Sequence, residues 1–233
     1  ERLLAVALAG LIAGALLISF IRSSSLLCSA AAADATPIQL AIVHYATSRI
    51  VPQQSLAEIS ISFDVLKRAP CNFLVFGLGD SLMWASLNPG TLFLEEDPWV
   101  QVLKDAPLRA HVYRTLEADL LSTYRSEPCL PAKAYLRGNK CKLALTLPDE
   151  VYDTEWDLIM IDAPKGYFAE APGRMAAIFS AAVMARARKG GVTHVFLHDV
   201  DRRVEKMFAE EFLCRKYRVA GRLWHFIPPA AFC

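Results

Sequence analysis

The chain has 233 residues, of which 54% are hydrophobic and 21% are charged, and its formal net charge is +1. This size and composition are typical of one α/β domain with an additional apolar segment. Nucleic-acid binding normally requires a basic surface, so the near-zero net charge excludes a nucleic-acid partner.

A long apolar segment lies near the N-terminus. Leu3 to Ile21 contains no charged residue, and as a helix its nineteen residues would span about 29 Å, close to the ~30 Å hydrocarbon core of a bilayer. Arg2 and Arg22 flank it. The sequence therefore predicts a single-pass membrane anchor over residues 1–22. A cleaved signal peptide is the alternative, because small residues follow between Cys28 and Ala35.

The rest of the chain is predicted to be a short stem followed by one domain in which helices and strands alternate. The Ser/Ala-rich stem covers residues 23–37, and the domain covers residues 38–233. Apolar periodicity predicts helices over Pro52–Leu66, Ser81–Leu87, Pro98–Lys104, Pro172–Lys189 and Arg202–Phe212. Continuous apolar runs predict strands over Asn72–Phe76, Thr91–Leu94, His111–Tyr113, Trp156–Pro164 and Thr193–Val200, with a closing strand within Gly221–Pro229. This alternation predicts a parallel, doubly wound Rossmann-like sheet.

The cysteines bear on the compartment. Cys129 and Cys141 flank a loop containing Pro, Gly and Asn, and a disulfide closing that loop would suit a domain in the secretory lumen. No paired C-x-x-C spacing indicates a zinc site. The sequence does not decide whether Cys71 and Cys214 form disulfides or remain buried thiols.

Polar residues follow four of the predicted strands. Gly77 and Gly79 come after the first strand, Glu95 and Glu96 after the second, Asp162 after the fourth, and His198 and Asp199 after the fifth. Each residue could be only a turn or cap residue. Because ligands of open α/β sheets bind at the carboxyl ends of the strands, we expect these residues to form one site.

The glycine turn indicates the class of cofactor. The sequence Gly77-Leu78-Gly79-Asp80-Ser81 lacks the third glycine of a dinucleotide fingerprint, and no phosphate-binding Arg or Lys follows it. Glu95, 16 residues after Gly79, suits hydrogen bonding to ribose hydroxyls. We therefore predict that S-adenosylmethionine is held by Gly77, Gly79, Asp80, Glu95 and Glu96, with an NAD-dependent enzyme as the weaker alternative.

Methyl transfer to oxygen requires a base that takes the hydroxyl proton. The candidate catalytic residues are Asp162, His198 and Asp199. A His–Asp pair is equally suited to holding a divalent metal, and the sequence leaves both roles open.

Several segments resemble a known family. They are "APCNFLVFGLG", "FLEED", "WDLIMIDAPKGYFAEAPGRM" and "THVFLHDVDRRVE". These segments, within Ile42 to Cys233, resemble the plant polysaccharide-biosynthesis family that includes the glucuronoxylan 4-O-methyltransferases. "AIVHYATSRIVPQQ" and the terminal "FC" are more similar to its irregular-xylem branch.

The resemblance implies a Golgi type II membrane protein of xylan biosynthesis with its domain in the lumen. It also implies methyl transfer from S-adenosylmethionine to glucuronic acid side chains of xylan, whose carboxylate Lys165 or Arg174 would bind. The family's usual turn is Gly-Leu-Gly-His-Asp-Ser, and this chain lacks the histidine. The shortened turn favours an alternative, a non-catalytic partner of other xylan-synthesis proteins, whereas the intact acids at the strand ends favour an enzyme.

Overall fold

A sheet of seven strands forms the centre of the computed structural model. The structure describes residues 39, 42–43, 46–47, 53–68, 71–96, 109–113, 129, 135–168 and 171–230. The predicted anchor, the stem and the predicted helix Pro98–Lys104 lie outside these residues. Within the part of the chain that the structure describes, no helix has the length and apolar character needed to cross a bilayer.

Helices and strands alternate along the chain, as predicted. The helices are α1 (Leu56–Leu66), α2 (Ser81–Leu87), α3 (Asp149–Asp153), α4 (Met175–Ala187) and α5 (Arg203–Phe212). The strands are β1 (Phe73–Phe76), β2 (Leu92–Glu95), β3 (Arg109–Val112), β4 (Leu158–Ile161), β5 (His194–Leu197), β6 (Lys216–Ala220) and β7 (Leu223–Phe226).

The strand order is β3-β2-β1-β4-β5-β7-β6. The first five strands in this order are parallel to their neighbours, whereas β7 runs antiparallel to both β5 and β6. The expectation of a wholly parallel sheet is therefore wrong at this edge, and the sheet is mixed. Only Gly221 and Arg222 connect β6 to β7, and so short a connection joins antiparallel strands because a parallel pair needs a long crossover.

The central strands are buried on both faces, as their continuous apolar sequences predict. Leu74 of β1 and Ile159 of β4 face a core that includes Phe179 of α4. Phe73 of β1 and Met160 of β4 face a second core, formed largely with α1 and α2. Layers on both faces leave the carboxyl ends of the parallel strands as the edge at which a site can form.

The four cysteines that the structure describes are oxidised. Cys129 and Cys141 form a disulfide, which confirms the bridge predicted across that loop. Cys71 and Cys214 are also disulfide-bonded, which settles the alternative left open by the sequence.

Candidate functional site

The residues predicted to form a site lie at the carboxyl ends of four adjacent strands. Phe76 of β1 pairs with Leu94 of β2 and with Ile161 of β4, and Ile161 pairs with Leu197 of β5. The residues that follow these strand ends therefore lie at one level. The site spans the boundary between β1 and β4, where the strand order reverses and where open α/β sheets bind ligands.

Asp162 and His198 form a hydrogen-bonded pair at the centre of this edge. His198 Nδ1 lies 2.9 Å from Asp162 Oδ1, and Gln54 Nε2 donates to Asp162 Oδ2 at 3.0 Å. Burial raises the pKa of Asp162, but the His198 hydrogen bond and the Arg174 charge outweigh burial and hold this pKa below its ordinary value. The Asp162 side chain is 12% exposed and that of His198 only 1%, so Asp162 is the member that an acceptor can reach.

Arg174, at the start of α4, lies beneath this pair with its side chain 3% exposed. Its guanidinium donates to the backbone carbonyls of His198 and Asp162, each at 2.7 Å, and of Pro164 at 3.2 Å. It also pairs with the carboxylates of Asp162 at 3.2 Å and Asp199 at 2.9 Å. Every guanidinium nitrogen is thus engaged inside the protein. This position gives no support to the prediction that Arg174 binds an acceptor carboxylate.

Asp199 is surrounded by arginines. Its Oδ2 contacts Arg202 Nη2 at 2.6 Å as well as Arg174 Nη2, and its Oδ1 accepts from Arg222 Nη1 at 2.8 Å. Its φ is +61°, in the left-handed region. These contacts indicate that Asp199 holds the arginines in position and does not act as the proton acceptor.

The same contacts argue against a metal. Ligand atoms of Asp162, His198 and Asp199 lie within 4.8 Å of one another. Arg174 and its neighbouring arginines already neutralise the two carboxylates, however, and a divalent cation would have to displace them. The residues do not fit the divalent-metal site that the sequence left open.

Glu58 of α1 lies on the side of the His198 ring that faces away from Asp162. Its carboxylate accepts from the backbone N–H and the hydroxyl of Ser55 in a capping box, and from the backbone N–H of Arg222 at 2.6 Å. Burial raises the pKa of Glu58, but these hydrogen bonds and the His198 charge give a net lowering. Gly221, with φ +50°, precedes Arg222, and a Cβ there would lie 2.6 Å from Glu58 Oε1. His198 Nε2 lies 3.7 Å from Glu58 Oε1 and has no hydrogen-bond partner among the described residues.

The turn after β1 requires glycine at its first position. Gly77 has φ +108°, and a Cβ there would lie 3.1 Å from Ala163 Cβ, so a side chain would be both strained and crowded. Gly79 has only ordinary contacts at 3.9 Å, from the Gln53 side chain. Gly77 is therefore required by its backbone conformation and by its packing against Ala163, whereas the backbone at Gly79 is less crowded.

Three buried polar atoms beside this turn have no hydrogen-bond partner within the described ranges: Asp80 Oδ2, Glu96 Oε2 and Tyr113 Oη. Burial and the Asp162 carboxylate raise the pKa of Asp80 to about 6. Burial and the two acids after β2 raise the pKa of Tyr113 well above its ordinary value. Buried polar groups normally have hydrogen-bond partners, so these acceptors without partners beside the glycine turn fit a ligand that supplies hydroxyl and ammonium donors. The ribose and the methionine part of S-adenosylmethionine carry such donors.

Glu95 is the last residue of β2 and Glu96 is the first residue after it, and the two acids differ in their contacts. Glu95 Oε1 accepts from the backbone N–H of Glu96. Glu96 Oε1 accepts from the backbone N–H of Lys165, an exposed residue in the segment that follows β4. Glu96 Oε2 has no hydrogen-bond partner among the described residues. Of the two, Glu96 is thus the better placed for a ribose.

Several residues that form the site were not predicted from the sequence. Gln54 and Glu58 reach the site from the start of α1, and the only signal for Glu58 was the Ser55-x-x-Glu58 capping box, which predicts a helix start rather than a site. Nothing in the sequence places Arg202 and Arg222 around Asp199.

Comparison with known proteins identifies the family. The family profile described as IRX15/IRX15L/GXM matches residues 57–226. "Arabinogalactan O-methyltransferase 1" of Arabidopsis thaliana is 73% identical, covering 97% of this chain and 90% of its own length. "Glucuronoxylan 4-O-methyltransferase 1" of the same plant is 52% identical, with coverages of 82% and 73%. "Protein IRREGULAR XYLEM 15" is 41% identical, with coverages of 80% and 65%.

These identities correct two expectations. The chain is far more similar to the arabinogalactan relatives than to the irregular-xylem relatives, so the predicted branch is not supported. The predicted function in xylan biosynthesis on glucuronic acid side chains is contradicted, because the relatives named for glucuronoxylan are 51–52% identical whereas those named for arabinogalactan are 70–73% identical.

Among solved structures, a methyltransferase-like protein from Silicibacter pomeroyi covers 67% of this chain and 78% of its own, with 22% identity and a TM-score of 0.37. A structural similarity with so low a TM-score supports no conclusion about function. The profile match over residues 57–226 and the identities above show that the chain belongs to the IRX15/IRX15L/GXM family.

Proposed function

We propose that this protein transfers a methyl group from S-adenosylmethionine to a hydroxyl oxygen of arabinogalactan. The observation that carries the proposal is the convergence of the Gly77–Gly79 turn, a Glu96 oxygen without a hydrogen-bond partner in the described residues and the Asp162–His198 pair at one sheet edge. The 73% identity to a relative named as an arabinogalactan O-methyltransferase supports the acceptor class.

Gly77, Asp80 and Glu96 hold the cofactor in this proposal. The turn from Gly77 to Gly79 borders its methionine part, Asp80 faces the ammonium, and Glu96 Oε2 accepts from a ribose hydroxyl. When bound, S-adenosylmethionine supplies an electrophilic methyl carbon on a positively charged sulfur. Gly79 and Glu95 shape the turn and the strand end beside these groups.

Asp162 would take the acceptor proton as the hydroxyl oxygen bonds to the methyl carbon and the carbon–sulfur bond breaks, which leaves S-adenosylhomocysteine with a neutral sulfur. Its Oδ1 is occupied by His198 and Arg174, whereas its Oδ2 accepts only from Gln54 in the described part of the structure and keeps a free lone pair for the proton. His198 and Gln54 fix the orientation of the carboxylate, and Asp199 holds Arg174 in place. Proton transfer by a positioned group typically contributes about 10²–10⁴-fold to a rate.

Transfer of labelled methyl from S-adenosylmethionine to arabinogalactan, with glucuronoxylan assayed in parallel, tests the proposal. We expect incorporation into arabinogalactan, and we expect Asp162→Asn to lower kcat by about 10²–10⁴-fold with cofactor affinity unchanged. Asp201→Asn, which alters an exposed acid beside the cluster, is the matched control and should keep full activity. Label in glucuronoxylan alone, or full activity in a folded Asp162→Asn protein, would contradict the proposal.

A further inference from the structure

Two exposed aromatic side chains lie beside the proposed site. Tyr167 is 70% exposed and Phe168 is 47% exposed, and both belong to the segment that follows β4, shortly after Asp162. Their ring centroids are 5.1 Å apart in an edge-to-face arrangement. Large apolar side chains grouped on a surface commonly mark a binding site. We call this pair the aromatic platform.

The backbone that carries the aromatic platform is fixed to the site. Lys165 donates its N–H to Glu96 Oε1 at 3.2 Å, and its carbonyl accepts from the N–H of Gly173 at 2.9 Å. Gly166 packs so closely that a Cβ there would lie 2.5 Å from Glu205 Oε1. The rings are therefore presented at a defined position relative to Glu96.

A cation links the aromatic platform to the acid cluster. The Arg202 guanidinium carbon lies 6.0 Å from the centre of the Tyr167 ring, and Arg202 Nη2 pairs with Asp199 at 2.6 Å. Tyr167 thus borders the cluster that holds Asp162.

The chemistry of the pair fits a sugar unit. A pyranose presents C–H groups on its face and hydroxyls at its rim, and the negative face of an aromatic ring attracts such C–H groups. The Arg202 guanidinium, whose carbon lies 6.0 Å from the centre of the Tyr167 ring, can donate to rim hydroxyls. A polymer whose one unit enters the site must continue across the adjoining surface, and Tyr167 and Phe168 lie on that surface.

We infer that Tyr167 and Phe168 form an acceptor subsite that stacks against a neutral sugar unit next to the one that is methylated. This inference rests on the proposed function and extends it, because it assigns preference for a polymer over a single sugar to these two side chains.

The test compares the full-length protein with the double variant Tyr167→Ala/Phe168→Ala, using arabinogalactan as the probe. We expect the KM for arabinogalactan to rise about tenfold, the kcat to stay within about twofold, and the affinity for S-adenosylmethionine to stay unchanged. The conservative Tyr167→Phe variant should keep the wild-type KM. Tyr135→Ala, which removes a 59% exposed tyrosine outside the aromatic platform, is the matched control and should have the wild-type KM and kcat.

Direct binding separates this inference from the proposed function. In native gels containing arabinogalactan, we expect the polymer to slow the migration of the wild type and of Tyr135→Ala, but not of the double variant. Retardation of the wild type without methyl transfer would refute the proposed function and leave the subsite standing. Equal retardation of the wild type and the double variant, or an unchanged KM, would overturn the subsite.

Discussion

Arg174 binds backbone carbonyls at the end of β4 and directly after β5, together with two carboxylates, all from a position that is 3% exposed. Desolvating a guanidinium is costly unless every donor is used. Here the donors join the ends of two parallel strands, so the residue fixes the distance between Asp162 and His198. Its role is to position the proton-accepting group rather than to contact the acceptor.

We expect Arg174→Met to lower the free energy of unfolding by about 3–5 kcal/mol, because it leaves Asp162 and Asp199 buried with a lost partner. Urea denaturation followed by fluorescence measures this value. Arg218→Met is the matched control: its guanidinium pairs with Asp64 at 3.3 Å at an exposed position, and its loss should cost less than about 1 kcal/mol. Equal losses in the two variants would refute the central position of Arg174.

Asp80 makes cofactor binding sensitive to pH. Burial and the Asp162 charge raise its pKa to about 6, so the carboxylate that faces the cofactor ammonium becomes neutral as the pH falls below that value. We expect the affinity for S-adenosylmethionine, measured by calorimetry, to fall between pH 7 and pH 5.

The Asp80→Asn variant provides the control for this effect. It should bind the cofactor weakly at pH 7 and lose the dependence on pH. Since folding raises the pKa of Asp80, the charged form destabilises the folded state, and the variant should also melt at a higher temperature. Wild-type affinity in the variant would remove Asp80 from the cofactor site.

At the scale of elements, β5 and β7 are joined by a buried histidine pair. His194 Nδ1 lies 2.9 Å from His225 Nε2, and the His225 ring stacks on Phe196 with centroids 4.3 Å apart. Burial lowers the pKa of both histidines, to about 4 for His194 and about 3 for His225. Both rings are therefore neutral at pH 7, and the antiparallel pairing of β7 with β5 depends on their staying neutral.

We expect the stability of the protein to fall as the pH decreases from about 6.5 towards 4. In this range the unfolded chain binds protons at histidine, whose ordinary pKa is about 6.5, while the folded chain does not. Each histidine then contributes a loss of up to about 1.4 kcal/mol per pH unit, and its contribution is fully present only above pH 6.5. Urea unfolding at several pH values measures the slope. His225→Phe should reduce this slope, and an unchanged slope would show that the pair is not responsible.

At the scale of the whole molecule, the sequence predicted the features that depend on local composition. Continuous apolar runs located β1, β2, β4 and β5, and topology then brought Asp162, His198 and Asp199 to one edge. Strand β6 was missed because it is short and mostly exposed, and its alternating charged and apolar side chains form no continuous apolar run. The burial of Arg174 was missed because it depends on carbonyls of two strands that pair only in the folded sheet.

Disulfides contribute to the stability of the whole domain. The Cys129–Cys141 bridge closes a loop with a sequence separation of 12, and loops of this length are associated with a stabilisation of about 3 kcal/mol. We expect Cys129→Ser/Cys141→Ser to lower the free energy of unfolding by about this amount while cofactor affinity is retained. An unchanged melting temperature would contradict this.

The anchor over residues 1–22 and the Golgi location stay predictions, and the bridge is consistent with an oxidising compartment.

The contact between Glu58 and Arg222 joins residues that are 164 positions apart. During synthesis by the ribosome, Glu58 and all five parallel strands emerge well before the β6–β7 hairpin. A growing chain that ends before Gly221 contains the five parallel strands and Asp162, but lacks β7 and the Arg222 backbone N–H that binds Glu58. The site is therefore completed only after this hairpin has been synthesised, so a chain terminated before Gly221 would keep most of the fold and lose the contact that Arg222 makes with Glu58.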